Sequence, residues 1–121
     1  MVDIRPLTDA DRDAVVGILT RSWGTTSVAG HGVLYDAATL PGLIATRSGR
    51  AVGLLTFHVD DAEWEVVTLD AVDSGSGIGT ALLRSVEQAA RAAGARRLWL
   101  ITTNDNTRAL RMLAGAGDLA L

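Results

Sequence analysis

Hydrophobic and polar positions change period several times along the chain, and each change marks an element. Val2 to Arg5 alternates and stops at Pro6, which predicts a short first strand. Thr8-Asp9-Ala10-Asp11 then opens a helix, with Thr8 as its cap and acidic residues in the first turn, where the helix dipole favours them. Ala14, Val15, Ile18, Leu19 and Trp23 recur at helical spacing and predict one apolar face, ended by Gly24. Residues 24–33 are rich in glycine and polar turn formers, carry His31, and read as a mobile loop. Asp36 to Leu40 predicts a short helix that Pro41-Gly42 closes.

Strand patterns follow. Leu43 to Arg47, a tight turn at Ser48-Gly49-Arg50, and Ala51 to Val59 predict a hairpin. Asp60-Asp61 is a second turn, and Trp64 to Val72 continues the meander. From Ile78 the period switches. Leu82, Val86, Ala89, Ala90 and Ala93 predict a helix of about four turns closed by Gly94. Arg97 to Thr102 reads as a buried strand, and Asn106 to Leu113 as the start of a last helix. The fold class is therefore α/β, with a mixed sheet. An antiparallel meander leads into one βαβ crossover, which makes strands 64–72 and 97–102 parallel.

Composition narrows the function. At 121 residues, 48% hydrophobic and 21% charged, the chain has the size and make-up of one globular domain, 1–121. It has no cysteine, which removes disulfides, thiolate metal sites and a cysteine nucleophile. All eleven basic residues are arginine, so a P-loop lysine and a Schiff-base lysine are excluded as well. A net charge of −3 gives no electrostatic support for nucleic-acid binding. The N-terminus does not pattern as a leader, and no apolar run approaches the roughly 20 residues of a membrane span. A cytoplasmic protein without a membrane partner is expected.

The most informative stretch is Val72-Asp73-Ser74-Gly75-Ser76-Gly77-Ile78-Gly79-Thr80, between a strand and a helix. Glycines admit a ligand close to the backbone, and the helix start offers N–H groups and a partial positive charge, a ready cradle for a pyrophosphate. A dinucleotide fingerprint fails. The third glycine position is Thr80 or Leu82, and no acid lies between Glu87 and Asp105 to hold a ribose. A serine-hydrolase reading fails too, because Gly75-Ser76-Gly77 lacks the flanking elbow pattern.

A second motif follows: Leu98-Trp99-Leu100-Ile101-Thr102-Thr103-Asn104-Asp105-Asn106-Thr107-Arg108-Ala109. With the meander and the glycine loop, this arrangement resembles the Gcn5-related N-acetyltransferase (GNAT) family over residues 2 to about 112. Ser74 to Gly79 matches both glycines of that family's Gln/Arg-x-x-Gly-x-Gly/Ala loop, and Asn106-Thr107-Arg108-Ala109 matches its Asn-x-x-Ala. The resemblance implies acetyl-CoA as co-substrate and a small-molecule or protein amine as acceptor. It implies that the pyrophosphate sits on Gly75, Ser76, Gly77, Ile78, Gly79 and Thr80. The pantetheine arm would pair with the backbone from Leu69 through Ala71 to Val72, and Asn106 would steady the cofactor from the other side. Glu65 falls near the family's general-base glutamate.

The chain departs from the family pattern at three places. Ser74 stands where a Gln or Arg is usual, so affinity for the cofactor is expected to be weaker. Leu113 stands at the place of a Tyr that usually protonates the departing thiolate. The family's usual last two strands are expected to be missing, which would leave strand 97–102 as an apolar edge, and a homodimer is expected to cover it. Leu113 and the short sheet also suit an alternative: a CoA-binding or interaction module without turnover.

Other residues have blander readings. Glu63 is the rival of Glu65 on the same face by alternation. His31 and His58 read as surface or packed histidines, with a substrate-side base as the alternative for either, and no metal site is expected. Trp23, Trp64 and Trp99 read as core, with Trp64 as a candidate lining of an acceptor pocket. Asp9, Asp11 and Asp13 read as a solvated helix start, and Arg84 as a solvated helix position.

Overall fold

Ser48 and Asp61 take left-handed backbone conformations (φ of 52° and 56°), and the chain reverses at both, as the turn signals predict. These reversals join β4 (Gly42–Arg47), β5 (Arg50–Asp60) and β6 (Glu63–Ala71) into an antiparallel meander. β1 (Asp3–Pro6) pairs antiparallel with β4, and β7 (Arg97–Leu100) pairs parallel with β6. The sheet order is β1-β4-β5-β6-β7. The computed structural model describes residues 2–24, 27–30, 33–71 and 77–100. The last helix expected from Asn106 lies outside them.

One helix covers each face. α2 (Ile78–Ala92) lies in the crossover between β6 and β7, and Ile78, Leu82, Leu83 and Val86 pack on Leu43, Leu55, Phe57, Val66, Leu69 and Leu98. α1 (Arg12–Trp23) packs Val15, Ile18 and Leu19 on Ala37, Leu54 and Val67 on the opposite face. Trp64 joins the α2-side core and stacks on Phe57, with ring centroids 4.7 Å apart and an interplanar angle of 11°. It is therefore a packing residue and not part of an acceptor pocket.

Two expectations need correction. The stretch read as a mobile loop contains a hairpin: β2 (Ser27–Gly30) pairs antiparallel with β3 (Val33–Asp36) and lies beside β6. Val28-Ala29 and Val33-Leu34-Tyr35 on either side of Gly30-His31-Gly32 are an ordinary hairpin signal. Nor is Asp11 a solvated helix residue, since it is only 8% exposed. A 3-10 turn, Asp9–Asp11, precedes α1 and turns the Asp11 carboxylate back toward β1. There Arg5 donates two hydrogen bonds of 2.7 Å to it, and the Thr8 N–H and hydroxyl donate at 2.8 and 3.1 Å. These donors, Arg5 first, hold the Asp11 carboxyl far below the usual carboxylate range, and Asp11 raises the Arg5 guanidinium in turn. The ion pair pins the entry of α1 to the edge strand.

Candidate active site

The register of β5 and β6 shifts at one point. Thr56 faces Thr68 but Phe57 faces Val66, so Val67 is an extra residue on β6. A bulge of this kind bends its strand and increases the local twist. It also changes which side chains share a face. Without it, Glu65 and Thr68 would point to opposite sides. With it, the α1 face carries four successive cross-strand pairs: Leu54 with Asp70, Thr56 with Thr68, His58 with Glu65, and Asp60 with Glu63. Thr56, Thr68, Asp70 and Glu65 are all buried. The α2 face of these strands is apolar at Leu55, Phe57, Val66 and Leu69. The sheet is thus two-faced, one side a dry core and the other a buried polar ladder.

Glu65 is 4% exposed in the middle of that ladder. Its rival Glu63 is exposed at the strand start and bound to Arg97 at 3.3 Å. The two glutamates share a face, as expected, but only Glu65 lies inside the fold. The Thr56 and Thr68 hydroxyls bond to each other at 2.6 Å.

β6 and β7 pair in parallel from Glu63↔Arg97 to Val66↔Leu100. β6 continues to Ala71, and the Leu69 side chain packs into the α2-side core.

At the far end of β6 stands the head of α2. Gly77 is its N-cap, with φ of 85°, a conformation in which a Cβ is disfavoured although the space beside it is open. The first bond of the helix runs from Ala81 N to Gly77 O, so the N–H groups of Ile78, Gly79 and Thr80 precede the ladder of the helix. No acidic residue occupies this first turn to neutralise the positive end of the dipole. Ile78 is buried and anchors the turn, while Gly79 and Thr80 are half-buried. The anchoring is close. A Cβ on Gly53 would lie 2.6 Å from Ile78 Cγ2, 3.0 Å from Leu82 Cδ1 and 3.3 Å from the Asp70 carbonyl oxygen. Gly53 thereby lets the helix head settle onto the sheet beside the end of β6.

A cradle of main-chain donors without a Cβ in its way fits an anionic group such as a pyrophosphate. β6 runs from the Glu65 carboxylate toward the head of α2. Glu65, Leu69, Ala71, Gly77, Ile78, Gly79 and Thr80 are brought along this line. Val72, Gly75, Ser76 and Asn106 lie outside the described residues, as do His31 and Leu113. Sequence reasoning missed the polar ladder itself, because its membership depends on the bulge. The run Glu65-Val66-Val67-Thr68 carries no glycine or proline that would mark one.

Comparison with known proteins agrees with this fold. A model of the acetyltransferase (GNAT) family matches residues 12–117. The uncharacterized protein YdhI of Bacillus subtilis is 34% identical over 111 residues, which is 91% of this chain and 69% of YdhI. Among solved structures, the ribosomal-protein-S18-alanine N-acetyltransferase from Escherichia coli aligns with a TM-score of 0.73 at 18% identity, covering 97% of this chain and 77% of that one. The PaiA N-acetyltransferase from Thermoplasma acidophilum, solved with coenzyme A, also gives 0.73, at 15% identity, covering 97% of this chain and 89% of that one. At these identities the two structures speak for the fold.

Proposed function

The chain belongs to the acetyltransferase (GNAT) family, and from that premise we propose that it moves an acetyl group from acetyl-CoA to an amine, with Glu65 as the base. One observation carries this reading: a carboxylate buried on β6, the strand whose far end leads to the main-chain anion cradle at the head of α2. The N–H groups of Gly75 through Thr80 receive the pyrophosphate. The backbone of Leu69, Ala71 and Val72 holds the pantetheine arm as an added strand, and Asn106 steadies the cofactor from the other side. The thioester so held is already activated toward nitrogen, and bringing it against the amine supplies much of the rate. Glu65 takes the amine proton, directly or through a water, as the C–N bond forms and the C–S bond breaks.

The acceptor belongs to the amines, whether small molecule or protein. The E. coli structural neighbour is named for an alanine of a ribosomal protein, which makes a peptide with an N-terminal alanine a rational member of an acceptor panel. Spermidine and an aminoglycoside complete it. A homodimer joined through the β7 side belongs to the same reading. Sedimentation as a monomer at high micromolar concentration would remove it.

The primary test is calorimetric titration with acetyl-CoA, followed by CoA release in the presence of the panel. Saturable binding and release with an amine are expected. Glu65→Gln is expected to bind acetyl-CoA as the wild type does and to transfer roughly 10²–10⁴-fold more slowly. No heat up to millimolar acetyl-CoA refutes the cofactor reading, and a Glu65→Gln variant with the wild-type rate refutes the base.

A further inference from the structure

A base buried in a sheet must pass its proton on. Glu65 is 4% exposed, so the proton it takes from each amine needs a route to solvent before the next turnover. The register shows what stands beside it. His58 on β5 is directly opposite Glu65 on β6, and directly opposed side chains of an antiparallel pair have Cβ atoms about 4.5–5.5 Å apart. At that separation a carboxylate and an imidazole are within a hydrogen bond or one water of each other. His58 is half-buried, and its successors Val59 and Asp60 are exposed, so the imidazole bridges the interior of the ladder and its wet end.

The surrounding groups are few. Thr56 and Asp60 flank His58 on its own strand, and Thr68 and Glu63 flank Glu65 on β6. Thr56 and Thr68 are bonded to each other, and Glu63 is bonded to Arg97. β2, which lies beside β6, contains no titratable residue, and α1 meets this face through Val15, Ile18 and Leu19. Among the described residues, Glu65 is the acid directly opposite His58 across the ladder.

We infer that His58 is the proton exit of the site, a positioning residue that acts through Glu65. This rests on the base reading of Glu65 given above. In each cycle the proton taken from the amine passes from the Glu65 carboxyl to the unprotonated ring nitrogen of His58, while the proton on the other ring nitrogen leaves to water. A ring flip then restores the starting tautomer. The chain needs no other acid or base for this step. Imidazole suits it because both ring nitrogens exchange protons readily near neutral pH.

The test has two readouts. The chain contains only two histidines, so a long-range 1H–15N spectrum of the ring nitrogens resolves His58 from His31. Glu65→Gln is expected to move the His58 nitrogen shifts and leave those of His31 in place. Unmoved His58 shifts overturn the inference. In the acceptor panel, His58→Ala is expected to lower kcat at least tenfold at unchanged KM for acetyl-CoA, with free imidazole in the buffer restoring part of the rate. A wild-type kcat overturns it, and so does a loss that imidazole leaves untouched in a protein with the wild-type unfolding midpoint. His58→Asn, closer in shape, serves if the alanine variant unfolds, and is expected to show the same drop. A fully active Glu65→Gln removes the base reading itself. An inactive Glu65→Gln beside a fully active His58→Ala removes the relay alone.

Discussion

Adding one methyl group at Gly53 should damage both stability and cofactor binding. The Cβ would stand 2.6 Å from Ile78 Cγ2, where an ordinary contact is 3.4–4 Å, so one partner must retreat by about 1 Å. Ile78 is β-branched and in a helix, which leaves it one strongly preferred χ1 rotamer. It cannot swing away cheaply, and Leu82 Cδ1 at 3.0 Å and the Asp70 carbonyl oxygen at 3.3 Å close the other directions. The helix head must lift. Overpacking of this kind costs roughly 1–3 kcal/mol. Against it stands about 0.4–1 kcal/mol from the reduced freedom of the unfolded chain when Gly becomes Ala. The net expectation for Gly53→Ala is a loss of roughly 0–2.6 kcal/mol, with a mid-range of about 1.3, read as a lower urea midpoint at unchanged m-value. The lifted turn carries Ile78, Gly79 and Thr80, so the Kd for acetyl-CoA should rise in the same variant. Gly17 in α1 is the control, because a Cβ there meets only Arg21 Nη1 at 4.0 Å. Gly17→Ala should stabilise by roughly 0.5–1 kcal/mol and leave acetyl-CoA binding unchanged. A Gly53→Ala protein as stable as the wild type, with unaltered acetyl-CoA affinity, would refute the claim that this glycine seats the cradle.

Three further changes test separate parts of the structure. Gly77→Ala meets no atom within 4 Å but keeps a left-handed backbone, so unfolding should show a loss of about 1–2 kcal/mol, and calorimetry a weaker acetyl-CoA complex. Thr56→Val or Thr68→Val alone strands a buried hydroxyl and should cost about 1–3 kcal/mol in urea unfolding, whereas the double variant should lose less than the sum of the two. Asp11 has its carboxyl held far below the usual range, so the stability it confers is fully present above about pH 4, its unfolded value, and declines as pH falls toward the folded value. Unfolding midpoints of the wild type and Asp11→Asn should therefore differ by a constant amount from pH 5 to 7 and converge in stronger acid. A gap that persists undiminished to pH 2 would contradict the ion-pair account.

Much of this protein is written in local patterns. The meander, the crossover helix from Ile78 and the parallel strand after it follow from side-chain period and turn chemistry, which act over a few residues and need no partner. The glycine cradle is legible for the same reason, since a helix start after Gly77 exposes its donors wherever it occurs. Glu65 and Glu63 could be placed on one face by alternation, but not ranked. Burial ranked them, and burial depends on which strands and helices arrive from elsewhere. The bulge at Val67 is likewise a property of two strands in register. It decided that Thr68 and Asp70 share the face of Glu65 and that His58 stands opposite that carboxylate. Asp11 shows the same division. Its position at a helix start is a local fact, while its burial comes from Arg5 on a strand whose pairing with β4 is long-range. The sequence determines elements because their energetics are short-ranged, and the tertiary structure decides the site because a site is made where distant segments meet.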